Sequence, residues 1–174
     1  MSSINYDLTK IKAFVFDVDG VLSREVISLY PNGEPARTIS TKDGYAIHMA
    51  ARKGFQIAII TTGRSEAVRL RFSKLGVQHI YMQSIRKIKD FNNFIRKTGL
   101  KEEEVLYAGD DIPDLEIMLR VGLAVAPADA VPEIKGIVQY ISRRKGGEGV
   151  ARDVIEQTMI AQGSWMSEED AFIW

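Results

Sequence analysis

Side chains able to do chemistry stand in four groups along this chain. Asp17 and Asp19 lie two apart in Asp17-Val18-Asp19-Gly20. Thr61-Thr62-Gly63-Arg64 follows, then Lys87 and Lys89 in one basic stretch, then Gly109-Asp110-Asp111 with Asp114. Together they suit transfer of a phosphoryl group. A carboxylate can attack phosphorus and form an aspartyl phosphate. A second carboxyl can protonate the departing alcohol and then deprotonate the attacking water. A hydroxyl, backbone N–H groups and a lysine can bind the equatorial oxygens, where charge must be stabilised. Mg²⁺ prefers a few carboxylates completed by water and phosphate oxygen, and Asp17 with Asp110 would supply them. Asp and Gly are also ordinary turn residues, so any one group alone says little. Their order carries the weight.

The surrounding sequence predicts how the groups meet. Ala13-Phe14-Val15-Phe16 is a short apolar run, read as a buried strand that stops on Asp17. Successive strand side chains alternate faces, so Asp17 and Asp19 share one side. Further strands are predicted over 55–60, 79–82, 105–108, 123–125 and 138–141, and helices over 43–53, 65–75, 85–98, 112–121, 132–136 and 150–161. Residues 25–40 hold two extended stretches around Pro31-Asn32-Gly33-Glu34, a hairpin signal. Apolar strands alternating with helices imply an α/β fold, a Rossmann-like three-layer arrangement with helices on both faces of a parallel sheet. The expectation is one domain over 1–174, interrupted only by the hairpin. In such a sheet the carboxyl ends of the strands share one edge, so the four groups converge there.

Composition excludes several alternatives. The chain has 174 residues, zero formal net charge and scattered lysines and arginines, so it lacks the electrostatic footprint of a nucleic-acid binder. No apolar run is long enough to span a bilayer. The first residues lack the basic and apolar regions of a signal peptide, and cysteine is absent, both compatible with the cytoplasm. Without cysteine there is no thiolate nucleophile, disulfide or Cys-based zinc site. His48 and His79 are the only histidines, too few for a His-rich metal centre, and read as ordinary helix and strand residues.

The ordered set Asp-x-Asp-Gly, Thr-Gly, Lys and Gly-Asp-Asp-x-x-Asp resembles the haloacid dehalogenase superfamily of phosphatases over nearly the whole chain. The resemblance implies Asp17 as nucleophile and Asp19 as general acid/base, with the Asp19 carbonyl and Asp110 joining Asp17 around Mg²⁺. It implies Thr62 and Lys87 on the phosphoryl group, and Asp111 and Asp114 supporting the metal or orienting the lysine. Thr61 competes with Thr62, which directly precedes the glycine as the family's Thr or Ser usually does. Lys89 competes with Lys87, which lies nearer the helix start. The gaps from Asp19 to Thr62 and from Lys87 to Asp110 are too short for a cap domain.

Closer features resemble the capless family of 3-deoxy-D-manno-octulosonate 8-phosphate phosphatases: Asn-Gly-Glu in the hairpin, Lys42-Asp43-Gly44-Tyr45, Thr62-Gly63-Arg64, and Gly146-Gly147-x-Gly149 with Arg152. That resemblance implies a homotetramer whose hairpins assemble centrally, and a role in lipopolysaccharide precursor synthesis. It points to Arg64, Gly63 and Lys42 as substrate-binding residues; the family usually has Arg where Lys42 stands. A guanidinium at Arg64 suits a sugar acid, because it can pair with carboxylate in a bidentate way. Relatives acting on nonulosonate 9-phosphates tend to carry Glu there and are the alternative substrate class. Ile27, Leu29, Tyr30 and Ile39 would expose apolar surface on a lone hairpin. Residues 146–149 read as a loop on the substrate side. The tail, 163–174, with Trp165, Phe172 and Trp174, departs from the family pattern; it either reaches a neighbouring subunit's site or frays.

Overall fold

In a computed structural model covering residues 4–167 and 169–172, the predicted elements form one six-stranded sheet and a separate hairpin. In chain order they are β1 (Ala13–Phe16), β2 (Ser28–Leu29), β3 (Pro35–Ala36), α1 (Thr41–Arg52), β4 (Gln56–Ile60), α2 (Glu66–Lys74) and β5 (His79–Tyr81). Then come α3 (Lys87–Thr98), β6 (Val105–Ala108), α4 (Leu115–Met118), β7 (Leu123–Ala126), α5 (Pro132–Lys135), β8 (Tyr140–Ile141) and α6 (Val150–Ala161). The sheet order is β5-β4-β1-β6-β7-β8, with every pairing parallel. From β1 the chain winds outward through β4 and β5, then crosses back to β6, β7 and β8. The reversal lies at β1, where open α/β sheets open a crevice for ligands. Phe16 is in register with Ile59 on one side and Ala108 on the other. The chain therefore leaves the sheet together at Asp17, Thr61 and Gly109.

Strand residues alternate between two cores. Phe14, Phe16, Ile57, Ile59 and Leu106 face a core closed by α1, α2 and α6. Val15, Ala58, Ile60 and Tyr107 face a second core closed by α3, α4 and α5. Being covered on both faces, β1 and β6 are buried at every position. Phe91 and Phe94 place α3 on the second core and so set Lys87, its first residue, beside the sheet edge.

The hairpin exists, but its ladder is shorter than the sequence predicts. Only Ser28–Leu29 and Pro35–Ala36 pair, because Pro35 has no N–H to donate and no third strand extends the ladder. Its turn is closed by Tyr30 N–H to the Glu34 carbonyl at 2.8 Å, with Gly33 at φ +82°. The predicted helix over 112–121 is a 3₁₀ turn at Ile112–Asp114 followed by the four-residue α4. The last strand begins at Tyr140, two residues later than predicted.

Asp43 joins α1 to α6. Gly149, the residue before α6, has no side chain with which to cap it, and the Asp43 carboxylate accepts the Arg152 N–H at 2.7 Å instead. The described tail packs on the same pair of helices. Trp165 meets Tyr45 edge-on at 6.0 Å, the Arg152 guanidinium lies 4.7 Å from the Trp165 ring centre, and the Tyr45 hydroxyl donates to the Ala171 carbonyl at 2.5 Å. Trp174 lies outside the described residues. Among the described residues no helix is long and apolar enough to cross a membrane.

Candidate active site

Asp17 is the first residue past β1, and its N–H still donates to the Ala108 carbonyl at 3.1 Å, so the sheet fixes its backbone. Lys87 reaches it from α3. The Lys87 Nζ lies 2.9 Å from Asp17 Oδ1 and 2.7 Å from Asp114 Oδ1, and all three residues are buried. Asp114 is held on both oxygens: Oδ1 also accepts the Tyr107 hydroxyl at 2.5 Å, and Oδ2 accepts the Asp110 N–H at 3.1 Å. Two glycines make this packing possible. A Cβ at Gly109 would fall 2.5 Å from the Asp114 Cβ, and one at Gly20 would fall 1.9 Å from Asp110 Oδ2. Gly20 also has φ +89°, a conformation that side chains rarely adopt. The glycines of Asp-x-Asp-Gly and Gly-Asp-Asp are thus the clearances through which the carboxylates approach one another.

That approach is electrostatically costly. Burial, then repulsion from Asp114, pushes the Asp17 carboxyl up to about 7 despite Lys87. Burial, then Asp17 and Asp114, pushes Asp110 up to about 8. Burial alone would lower Lys87, but Asp17 and Asp114 outweigh it and raise its pKa. Asp17, Asp110 and Asp114 each bring one oxygen within 4.8 Å of the others. One lysine cannot neutralise three carboxylates. Because Asp114 is occupied by Lys87, Tyr107 and a backbone N–H, Asp17 and Asp110 are the oxygens that fit a hard divalent cation such as Mg²⁺.

Asp19 sits on the other side of the opening. Its carboxylate is gripped by Arg37, with Nε to Oδ1 and Nη2 to Oδ2 both at 2.7 Å. Arg37 follows β3, so the hairpin reaches into the site. Its guanidinium packs on Gly63, where a Cβ would meet Nη2 at 2.7 Å and the Thr61 hydroxyl at 3.4 Å. Thr61 is buried with its hydroxyl accepting the Gly63 N–H at 3.1 Å, whereas Thr62 is exposed. Gly63, which lies against both the Thr61 hydroxyl and the Arg37 guanidinium, therefore connects Thr61 to the Asp19 pair. Arg64 is exposed and, with Arg37, Ser65 and Arg71, lines a cavity of about 580 Å³ between the hairpin and α2.

Other predicted residues lie elsewhere. Lys89 is exposed on α3, so Lys87 alone of that pair reaches the carboxylates. Asp111 is exposed and accepts the Ile112 N–H at 2.7 Å, capping the following turn. Lys42 lines a separate cleft with Arg144, Glu148 and Arg152, on the α1–α6 side. The glycine loop braces the loop that follows β1: a Cβ at Gly146 would fall 2.2 Å from the Gly20 carbonyl, and the Gly147 N–H donates to the Val21 carbonyl at 2.8 Å. Arg37 and Tyr107 were missed. Tyr107 reads as one more apolar strand residue, and Arg37 as a solvated hairpin charge.

A buried aspartate at a strand end, paired with a lysine and sharing a cluster with two further carboxylates, on a parallel α/β sheet without a cap, is the arrangement of a metal-dependent phosphohydrolase. The profile of the haloacid dehalogenase-like hydrolases matches residues 66–154. The chain is 37% identical over 153 residues, 88% of its length and 81% of the relative's, to 3-deoxy-D-manno-octulosonate 8-phosphate phosphatase KdsC of Escherichia coli strain K12. The crystal structure of that phosphatase from Yersinia pestis superposes with a TM-score of 0.87 at 33% identity, covering 91% of this chain and 85% of the other. The Moraxella catarrhalis enzyme, crystallised with magnesium ion, phosphate ion and KDO, also gives 0.87, at 28% identity and 92% coverage of each chain. This chain belongs to the haloacid dehalogenase-like hydrolases, within the family of 3-deoxy-D-manno-octulosonate 8-phosphate phosphatases.

Proposed function

We propose that this protein hydrolyses 3-deoxy-D-manno-octulosonate 8-phosphate to the free sugar acid and phosphate, a step toward lipopolysaccharide precursors. The observation that carries the reading is the Asp17–Lys87–Asp114 group beside Asp110, in a chain so similar to these phosphatases over most of its length. Asp17 attacks phosphorus as the bond to the sugar oxygen breaks, and Asp19 gives that oxygen its proton. Asp19 then takes a proton from water, which attacks the aspartyl phosphate and releases inorganic phosphate and free Asp17. Lys87 binds a phosphoryl oxygen and favours the ionised form of Asp17; Asp114, itself held by Tyr107, keeps the lysine in place. Thr61, in place of the expected Thr62, would donate a hydroxyl to another oxygen beside the Gly63 N–H. Mg²⁺, held by Asp17, Asp110 and the Asp19 carbonyl, would neutralise charge on the phosphoryl group. Arg64 and Gly63 would face the sugar acid.

The reading extends to one catalytic domain acting in the cytoplasm, and to a homotetramer joined through the hairpins. The apolar side chains of Val26, Leu29 and Tyr30, exposed on a single chain, support the last point. Phosphate release from the eight-carbon sugar-acid 8-phosphate and from a nine-carbon sugar-acid 9-phosphate, with Mg²⁺ and with EDTA, tests the function. Mg²⁺-dependent preference for the first is expected. Preference for the second would keep the chemistry and overturn the substrate.

A further inference from the structure

Asp19 is engaged at both carboxylate oxygens by Arg37, at 2.7 Å each. A fork-to-fork pair of this kind is among the stronger hydrogen-bonded contacts in proteins. Its arginine side is shielded and its carboxylate side open: the Arg37 side chain is 7% exposed and Asp19 31%. A carboxyl that must meet the departing sugar oxygen needs one of its own oxygens released and turned toward phosphorus. The pair, as it stands, points both at the hairpin.

Arg37 lies where an incoming ligand would find it. It lines the cavity of about 580 Å³ that opens toward Arg64 and Arg71, with Ser65 at the start of α2. Two acidic residues, Glu34 and Glu66, also line it, but Glu66 is already paired with Arg69. A sugar acid bound there carries a carboxylate that competes with Asp19 for the same guanidinium, and Arg64 stands ready as a second partner. A neutral sugar phosphate brings no such competitor.

We propose that Arg37 is a substrate-released latch: it holds Asp19 away from the reacting centre until the carboxylate of the sugar acid takes its guanidinium. Resting on the proposed reaction, this makes Arg37 a specificity-determining residue that works through Asp19. Because the latch follows β3, the hairpin takes part in choosing the substrate. Discrimination then arises without a cap, from an exchange of ion-pair partners.

The test compares Arg37→Gln with wild type on two alkyl phosphates, 3-deoxy-D-manno-octulosonate 8-phosphate and glucose 6-phosphate, which lacks a carboxylate. Loss of a charge-assisted contact predicts that kcat/KM for the sugar acid falls about tenfold or more, mainly through KM. For glucose 6-phosphate kcat should rise by a similar factor, roughly tenfold, because Asp19 is no longer held. Arg37→Lys, which keeps the charge but lacks the planar fork that grips both oxygens, should fall between. A parallel fall on both esters, or an unchanged rate on glucose 6-phosphate, would overturn the latch and leave Arg37 as a support for Asp19. Thermal melts of both variants separate misfolding from either result. Should wild type fail to hydrolyse the eight-carbon substrate, the proposed reaction fails, and the glucose 6-phosphate comparison still decides the latch.

Discussion

As the proposed nucleophile, Asp17 would have to be ionised to attack phosphorus, yet the sheet buries it beside two other carboxylates. Lys87 reconciles part of the conflict, and a divalent cation on Asp17 and Asp110 would reconcile the rest. Replacing Asp17 with Asn keeps the volume and removes the nucleophile, so turnover should drop by on the order of 10³-fold or more with the fold retained. Phosphate release from a clean preparation checks this; substantial residual activity would refute the nucleophile. The raised carboxyls also set a pH signature. Asp17 and Asp110 titrate near 7 and 8 in the metal-free fold, above the ordinary aspartate value of 3.8. Below 3.8 their contribution to stability is fully present, and it is lost as pH rises through 7 and 8, because the unfolded chain has already released those protons. Metal-free protein should therefore melt lower at pH 9 than at pH 5, which lie on either side of both values, and Mg²⁺ should raise the melting temperature more at pH 9. An equal Mg²⁺ shift at both pH values would count against these carboxylates as the metal site. In the sequence Asp17 and Asp110 follow apolar strands and Lys87 lies near a helix start, so the shared edge of a parallel sheet predicts their convergence. Arg37 escaped it because its partner lies 18 residues away across a hairpin whose docking no periodicity encodes. Thr62 was favoured over Thr61 for its place before the glycine, whereas packing buries Thr61 and leaves Thr62 exposed.

Among the elements, β1, β4 and β6 were legible because burial on both faces writes a continuous apolar run. The hairpin ladder and β8 were not, since a two-residue pairing depends on partners more than on composition. The Lys42-Asp43-Gly44 stretch gains a structural meaning that sequence withheld. Asp43 is a cap supplied across helices, from α1 to the start of α6, with its Oδ2 buried and without a partner. Asp43→Ala should destabilise the protein by about 1–2 kcal/mol, the usual cost of losing a cap. Asp43→Asn, which keeps an acceptor, should lose less. Denaturant unfolding of both variants decides the matter; equal losses would mean that packing, not the acceptor, is what the site requires. Because α6 follows directly on Gly149, fraying there should also loosen the glycine loop braced on Gly20, and kcat should fall with stability.

On the scale of the whole molecule, the hairpin is the part a lone chain cannot account for. Val26 is 81% exposed, Leu29 67% and Tyr30 58%, in and beside a hairpin whose strands of only two residues have little to stabilise them. Yet Arg37, which follows β3, has to hold a fixed position against Asp19 and Gly63. A partner copy covering the apolar face would give the hairpin the rigidity that its own ladder does not. Leu29→Asp places a charge on that face without touching either core. Sedimentation velocity should show wild type as a tetramer and the variant as a smaller species. The variant's KM for the sugar acid should rise because Arg37 has lost its frame, while its melting behaviour as a monomer stays cooperative. A variant that still sediments as a tetramer would place the interface elsewhere. A wild-type monomer would remove the assembly, leaving the Arg37–Asp19 pair as the hairpin's main tie to the domain.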